Sequence, residues 1–125
     1  IRGIDDRQLD LSRIRKSIGV EYTFERDLKN YNELLKKASE FSEELADDLH
    51  KKNIKAKTIR IKIKLSDFSV ITKSMTLDEY ISDVKDIYRI VKYLVLNTKI
   101  EKSVRLFGIT AANLSDTTFE QLKFL

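Results

Sequence analysis

The stretch KTIRIKIKL, residues 57–65, decides the fold that this sequence can adopt. Its side chains alternate between polar and apolar types along the whole stretch. Successive side chains of a β-strand point to opposite faces, so the stretch predicts a strand with one buried face and one exposed face. The apolar set is Ile59, Ile61, Ile63 and Leu65, and the polar set is Thr58, Arg60, Lys62 and Lys64.

The segments around this strand predict the rest of a sheet. A turn at Ser66-Asp67 precedes residues 68–76, which predict the returning strand of a hairpin, and residues 77–82 predict a loop. Residues 20–24, VEYTF, alternate and are rich in β-branched and aromatic side chains, which favours a first strand. Residues 102–112 predict the last strand, where Gly108 allows either a bulge or the close approach of a neighbour.

Apolar residues at spacings of three and four predict two amphipathic helices, over residues 27–52 and about 83–98. Asp27 is the predicted N-cap of the first helix, Asn53 its predicted left-handed stop, and Ser82 or Asp83 can cap the second helix. The element order is therefore β-α-β-β-α-β, in the α+β class. It predicts a four-stranded, mainly antiparallel sheet with both helices on one face, in the split ferredoxin-like arrangement.

Composition limits the class of protein. The chain has 125 residues, a net charge of +4 at pH 7, 35% charged residues and no cysteine. Disulfides and cysteine-ligated zinc are therefore excluded, and the single histidine, His50, is interpreted as a solvated side chain. No apolar run reaches the roughly 20 residues of a membrane span, and the sequence predicts no secretory signal. Because the first residue is Ile1, we interpret the chain as a piece of a longer cytoplasmic protein.

One face of the predicted sheet is left uncovered, and it carries cations. Arg60, Lys62 and Lys64 occupy every second position, roughly 6.6–6.8 Å apart, a spacing similar to that of the phosphates along a DNA strand. We expect Lys73 and Arg105 on neighbouring strands to add to this set. Such a face suits phosphate contact, and the alternative is a solvated face whose charges oppose sheet aggregation.

Aromatic side chains that could stack on bases are missing from this cationic set. Phe68 and Phe107 are the candidates, and each is expected in the core or at an edge. The pattern therefore favours phosphate contact over the reading of bases. The peptide KSIG, residues 16–19, combines a charge, a hydroxyl and a glycine, as a phosphate clamp requires, and Ser74 and Thr76 lie at the other end of the hairpin.

The sequence ends in QLKFL, residues 121–125, after a polar stretch. Its apolar side chains could enter a hydrophobic groove of a partner, with the glutamine setting the register through hydrogen bonds. The alternative is a terminal turn that packs on the core. The residues alone leave both interpretations open.

Several segments together resemble one known family, the Y-family translesion DNA polymerases of the polymerase IV type. RKSIGVEYTFERDL (15–28), KAKTIRIKIKLSDFSVITKSMTL (55–77) and SVRLFGITAANL (103–114) are similar to the opening segment, central hairpin and last strand of that family's C-terminal DNA-binding domain, the little finger. GIDDR (3–7) resembles the tether from the thumb domain. The segments come in the family's order and cover nearly the whole chain.

The resemblance implies how the chain is divided. Residues 1–15 would be the linker from the thumb, residues 16–114 the little finger, and residues 115–125 a tail with a clamp-binding peptide. The palm carboxylates that hold magnesium for nucleotidyl transfer would lie outside this chain. No catalytic residue, metal ligand or cofactor is therefore expected in the chain, which should not polymerise. The parent protein would be a DNA-directed DNA polymerase of DNA repair and damage tolerance in the bacterial cytoplasm.

The resemblance also implies the partners: the template–primer duplex, gripped through its phosphate backbone, and the bacterial sliding clamp. Carried over by position, the DNA contacts are Lys16, Ser17, Ile18, Gly19, Thr72, Lys73, Ser74, Thr76 and Arg105, while Arg60, Lys62 and Lys64 add to the positive field. The clamp contacts are Gln121, Leu122, Phe124 and Leu125. Family members often have an arginine where Lys73 stands, and a lysine keeps the charge but loses the paired hydrogen bonds.

Three other functions fit the residues. The first is a stand-alone ferredoxin-like domain that binds RNA or single strands, which a preference for single strands over duplex would favour. The second is a small hydrolase of the acylphosphatase kind, but the sequence offers no convincing phosphate-cradling loop with a paired arginine and asparagine. The third is an interaction domain that binds the clamp and whose sheet never meets DNA.

Overall fold

A computed structural model describes residues 17–115 of the chain. Its elements are β1 (Ser17–Leu28), α1 (Tyr31–Lys51), β2 (Ala56–Leu65), β3 (Val70–Ile81), α2 (Val84–Leu96) and β4 (Val104–Leu114). The strands form one sheet in the order β1-β4-β2-β3, and every neighbouring pair is antiparallel. The predicted β-α-β-β-α-β order and the four-stranded sheet are confirmed. The first and third strands lie at the edges of this sheet, so its strand order differs from the split ferredoxin-like one, in which they are central.

The core lies between one face of the sheet and the two helices. Both helices contact each other, α1 also contacts β1 and β4, and α2 contacts β2 and β3. The apolar side of β2 is buried there, and Ile59, Ile61 and Ile63 are completely inaccessible, because the helices cover this face of a central strand. The largest fully buried side chains around it are Phe107, Leu34, Leu45, Leu49, Ile59, Ile61, Ile63, Ile87 and Ile109.

The first helix begins later than the sequence predicted. Asn30 is its N-cap: the side-chain oxygen of Asn30 accepts a hydrogen bond from the backbone N–H of Glu33 at 2.9 Å. The carboxylate of Glu33 in turn accepts the backbone N–H of Lys29 at 2.7 Å, so the two side chains satisfy free donors reciprocally. The prediction of Asp27 as the cap is wrong, because β1 continues through Asp27 to Leu28, which pairs with Val104.

The helix ends as predicted. Asn53 has a φ of 55°, in the left-handed region, and its backbone N–H donates to the carbonyl of His50. The second helix is shorter than predicted, and Asp83 occupies its N-cap position without a side-chain capping hydrogen bond. Neither helix in the described part is long and apolar enough to cross a bilayer.

The third strand is longer than predicted, and the predicted loop at residues 77–82 is wrong. β3 continues to Ile81, which pairs with Ala56, although Thr76 already pairs with Thr58. The extra residues between these two pairs form a β-bulge, which lets the strand bend while it stays hydrogen-bonded. Long-range pairing of this kind leaves no local signal in the sequence.

Because Asn30 is the N-cap of α1, substitution of Asn30 should lower stability more than substitution of Asp27. Asn30→Ala removes the acceptor for a free helix N–H, so we expect it to lower the free energy of unfolding by about 1 kcal/mol. For a domain of this size the melting temperature should fall by roughly 4–8 °C. Thermal denaturation followed by circular dichroism measures this change. Asp27→Ala is the matched control and should change stability by less than about 0.5 kcal/mol; a larger loss than for Asn30→Ala would restore Asp27 as the cap.

Candidate nucleic-acid interface

The sheet face opposite the helices is built around the polar side of β2. Residues directly opposite each other in antiparallel strands project to the same side of the sheet, so the register identifies the members of this open face. Arg60 pairs with Ser74 and Thr110, and Lys62 pairs with Thr72 and Gly108. The open face is therefore a row of cations on β2, flanked by a row of hydroxyls on β3.

The side chains of this face differ in exposure and in charge balance. Arg60, Thr72, Ser74 and Thr76 are exposed, whereas Lys62 and Lys64 are half-buried. Within residues 17–115 Arg60 and Lys64 make no ion pair, so their charges are not neutralised by a carboxylate of the described chain. An anion that approaches this face can contact the cations of β2 and the hydroxyl donors of β3 at the same time.

The open face also carries a carboxylate that sequence reasoning missed. Glu21 of β1 pairs with Gly108, and its carboxylate lies 3.5 Å from the ammonium of Lys62. A Cβ at position 108 would be 3.0 Å from the Cβ of Glu21, so Gly108 leaves the space that the Glu21 side chain occupies. The close approach predicted at Gly108 is confirmed, and the alternation of VEYTF already placed Glu21 opposite the buried Val20.

The start of β1 contributes a second close approach. Gly19 pairs with Thr110, and a Cβ there would be 3.0 Å from the Thr110 hydroxyl. Ser17 is exposed at the same end of the strand, while the side chain of Ile18 is buried in the core. Ile18 can therefore reach a ligand only through its backbone. Lys16 lies outside the described residues, as do the linker and the four predicted clamp contacts.

The predicted place of Lys73 on the open face is wrong. Lys73 pairs with Ile61, so it projects to the helix side of the sheet, between Thr72 and Ser74, which project to the open side. Because β3 is an edge strand, Lys73 remains exposed and makes no ion pair in the described part of the chain. Its charge therefore lies at the rim of the cationic row.

At one end of β2 the hydroxyls form a closed network. Thr58 is buried, and its hydroxyl lies 3.0 Å from that of Thr76 and accepts a hydrogen bond from the side-chain amide of Asn113 at 2.6 Å. Asn113 has a φ of 51°, which an asparagine tolerates better than most residues. Thr58 was predicted in the outward polar set, and it is outward but covered by these neighbours.

At the other end of β2 an aromatic ring joins the cations. Phe68 lies in the hairpin turn and is 61% exposed, whereas Phe107 is fully buried as predicted. The Arg105 guanidinium carbon is 4.9 Å and the Lys64 ammonium nitrogen 5.8 Å from the centre of the Phe68 ring. Arg105 is thus close to Lys64 through their shared contact with Phe68, a ring that the sequence had suggested for the core or an edge.

The hairpin turn itself is held by Asp67. The carboxylate of Asp67 accepts the backbone N–H of Ser69 at 3.0 Å, the Ser69 hydroxyl at 2.6 Å and the Lys102 ammonium at 2.9 Å. The hydrogen bond from the Ser69 hydroxyl, followed by those from the Lys102 ammonium and the Ser69 backbone, holds the pKa of Asp67 well below its usual range. No three acidic or histidine side chains of residues 17–115 converge on a possible metal position.

A family model matches almost the whole sequence. The model of the impB/mucB/samB family C-terminal domain matches residues 15–124. A DNA polymerase IV of Clostridium perfringens (strain 13 / Type A) is 39% identical over 128 residues, which cover 98% of this chain and 36% of that polymerase. The chain therefore spans about a third of the length of this curated relative.

Solved structures share the fold. A complex of the beta-clamp processivity factor and the little finger domain of PolIV matches with a TM-score of 0.64 and 20% identity, over 77% of this chain and 86% of that one. A Y-family DNA polymerase chimera, Dbh-Dpo4(243-245)-Dbh, matches with a TM-score of 0.67 and 20% identity, over 79% of this chain and 28% of that one. At these identities the matches establish a common fold, and the same sheet and helices recur within larger polymerases.

Proposed function

Because the chain belongs to the impB/mucB/samB C-terminal domain family, as a little finger of the DNA polymerase IV type, we propose that its open face binds template–primer duplex through the phosphate backbone. The observation that carries the proposal is the register that puts Arg60 and Lys62 on one uncovered face beside the hydroxyls of Ser74 and Thr72. Phosphate oxygens accept hydrogen bonds from both kinds of group.

The geometry suits a backbone better than base edges. Cations at every second position of a strand are roughly 6.6–6.8 Å apart, so successive side chains can meet successive phosphates. The open face of a twisted sheet is broad, whereas base edges in the major groove are reached by a helix or a two-stranded ribbon. Contacts that hold only phosphates position a protein without selecting a sequence, which suits a polymerase that must accept damaged templates.

The helix α1, on the other side of the sheet, differs in charge from the open face. It carries six acids, Glu33, Glu40, Glu43, Glu44, Asp47 and Asp48, against three lysines. This acidic surface repels a polyanion, while the open face on the other side of the sheet attracts it. The acids of α1 therefore disfavour encounters in which α1 faces the duplex, whereas α2 on the same side of the sheet carries the exposed cations Lys85, Arg89 and Lys92.

The chemical step of the parent enzyme belongs to other parts of the protein. The chain matches about a third of the DNA polymerase IV of C. perfringens, and we propose that it supplies grip and placement without catalysing nucleotidyl transfer. Magnesium chemistry would be supplied by a palm domain that holds the ions with carboxylates. The roles that we propose for this chain are binding roles.

A second contact is proposed for the tail. The solved complex shows a related little finger with a beta-clamp processivity factor, and we propose that Gln121, Leu122, Phe124 and Leu125 dock in a groove of a bacterial sliding clamp. The residue before the tail's undescribed part, Ser115, is hydrogen-bonded to Lys55. The backbone N–H of Ser115 donates to the carbonyl of Lys55 at 2.8 Å, and the hydroxyl of Ser115 accepts the backbone N–H of Lys55 at 2.9 Å. Clamp and duplex would thus be held by separate parts of the chain.

Two opposite charge changes on the open face test the DNA contact. Arg60→Gln removes a phosphate contact, so duplex affinity should fall on unrelated sequences alike, and the slope of log affinity against log salt should decrease by about one. Glu21→Gln frees Lys62 from its ion pair, so affinity at low salt should rise about two- to fivefold. Fluorescence anisotropy with a labelled duplex at several salt concentrations measures both.

The contradicting results are equally specific. If both variants bind duplex like the original chain, the open face is not the contact surface. A loss for Arg60→Gln on one DNA sequence alone would indicate base reading, and tighter binding to single strands than to duplex would favour the single-strand-binding alternative.

The tail is tested separately. Leu122→Ala with Phe124→Ala removes the apolar side chains that would enter the clamp groove, so binding to a bacterial sliding clamp should become undetectable while duplex affinity stays unchanged. Lys123→Ala, in the middle of the same peptide, is the matched control and should bind the clamp normally. Surface plasmon resonance with immobilised clamp gives the readout. Equal loss of clamp and duplex binding in the double variant would mean that the tail packs on the domain as a structural element.

A further inference from the structure

The turn between β2 and β3 holds an aromatic residue in an unfavourable conformation. Phe68 has a φ of 70°, in the left-handed region, where a bulky side chain is a rare outlier and glycine or asparagine is preferred. Strain of this kind persists when the surroundings impose it, and it clusters at functional positions. Phe68 is 61% exposed, so burial of the ring does not offset the strain.

The turn holds this conformation through several hydrogen bonds. The backbone N–H of Phe68 donates to the carbonyl of Leu65 at 2.8 Å, and that of Leu65 donates to the carbonyl of Ser69 at 2.9 Å. Asp67 ties Ser69 to Lys102, and the backbone N–H of Ser66 donates to the carbonyl of Ser103 at 2.9 Å. The direction of the Phe68 ring is therefore set by a braced turn.

The ring contacts two cations from different strands. Lys64 belongs to β2, and Arg105 belongs to β4 at a register irregularity: Leu106 pairs with Lys64 and Val104 with Leu65. Arg105 thus has no partner of its own in β2, and bulges of this kind redirect a side chain. Both cations lie over the Phe68 ring, Arg105 at 4.9 Å and Lys64 at 5.8 Å from its centre, within the range of cation–π attraction.

These two cations have no carboxylate partner in the described chain. The ion pairs nearby use Lys62 with Glu21 and Lys102 with Asp67, and neither includes Lys64 or Arg105. Two like charges that share one ring repel each other, and the negative face of the ring reduces that repulsion. A single phosphate, with several acceptor oxygens, is the ligand that would satisfy both cations together.

We propose that Phe68 is a positioning residue that holds Lys64 and Arg105 as a two-cation site for one phosphate of the bound nucleic acid. The proposal rests on the proposed function and adds a residue and a mechanism to it. The strained turn keeps the ring against Lys64 and Arg105, and the ring keeps these two long side chains from dispersing in solvent. Less rotamer entropy is then lost when the phosphate binds.

The test compares stability with affinity in the same variant. Phe68→Asn places a residue that tolerates a left-handed φ in the turn, so the melting temperature should stay the same or rise by a few degrees. Duplex affinity should nevertheless fall about two- to fivefold, because the two cations lose their ring. Phe68→Tyr keeps the ring and should bind like the original chain. Tyr93→Asn, which removes another exposed aromatic side chain on α2, is the matched control and should change duplex affinity by less than about 1.5-fold.

A double-mutant cycle separates positioning from direct contact by the ring. In an Arg105→Gln, Lys64→Gln background the Phe68→Asn change should have no further effect on affinity, because Phe68 acts through these cations. An equal loss in both backgrounds would show that the ring touches nucleic acid itself and would overturn the proposal. So would unchanged affinity for Phe68→Asn in a chain that binds duplex.

A readout without DNA keeps this inference distinct from the proposed function. The Phe68 ring should shift the side-chain NMR signals of Arg105 upfield in the free protein, and Phe68→Asn should return them to their ordinary positions. If this holds but the original chain does not bind duplex, the proposed function fails and the ring–cation arrangement stands. If the Arg105 signals are unshifted in the original chain, the positioning role is wrong whatever the chain binds.

Discussion

The alternation of side chains along β2 is the constraint on which the rest of the structure depends. β2 is a central strand, and Ile59, Ile61 and Ile63 on one of its sides are completely buried. A slip of one residue against either neighbour would expose these isoleucines and bury Arg60 and Lys62, which would cost several kcal/mol. Since β3 and β4 both pair with β2, their faces are set by the same alternation, and the hydroxyl row of β3 follows from it.

Much of this arrangement could be predicted from local sequence. The period of two in β2 and the spacings of three and four in the helices come from burial, which each segment shows by itself. The start of α1 could not be located in this way, because Asp27 and Asn30 are both good caps. The choice between them depends on the pairing of Leu28 with Val104, which prolongs β1.

The positions that sequence reasoning placed wrongly share one physical cause. The face of Lys73 depends on the register of the β2–β3 hairpin, because a shift by one residue exchanges the two faces. Glu21 meets Lys62 only because β1 and β2 both pair with β4. The ring of Phe68 meets Arg105, which belongs to a strand much later in the chain. The bulges next to Thr58 and Leu65 change that register within a strand. Such irregularities are set by tertiary pairing and leave no pattern in the segment that contains them.

The open face is less uniformly positive than its sequence suggests. Glu21 neutralises Lys62 in the centre, over the space that Gly108 leaves, while Arg60 and the Lys64–Arg105 pair stay without carboxylates in the described chain. A phosphate that binds Lys62 must compete with Glu21, which limits the gain from that contact. If this face binds duplex as proposed, the affinity should be low and should fall as salt is added.

We propose that duplex DNA meets the open side of the sheet, and chemical-shift mapping of the chain with and without DNA can decide this. A short duplex is titrated into the isotope-labelled chain at low salt, and amide shifts are followed along the sequence. If the open face binds duplex, the amide signals of Arg60, Lys62, Thr72, Ser74 and Arg105 should shift, and the shifts should diminish when salt is added. Shifts confined to the basic outer side of α2, around Lys85, Arg89 and Lys92, with β2 and β3 unchanged, would contradict it.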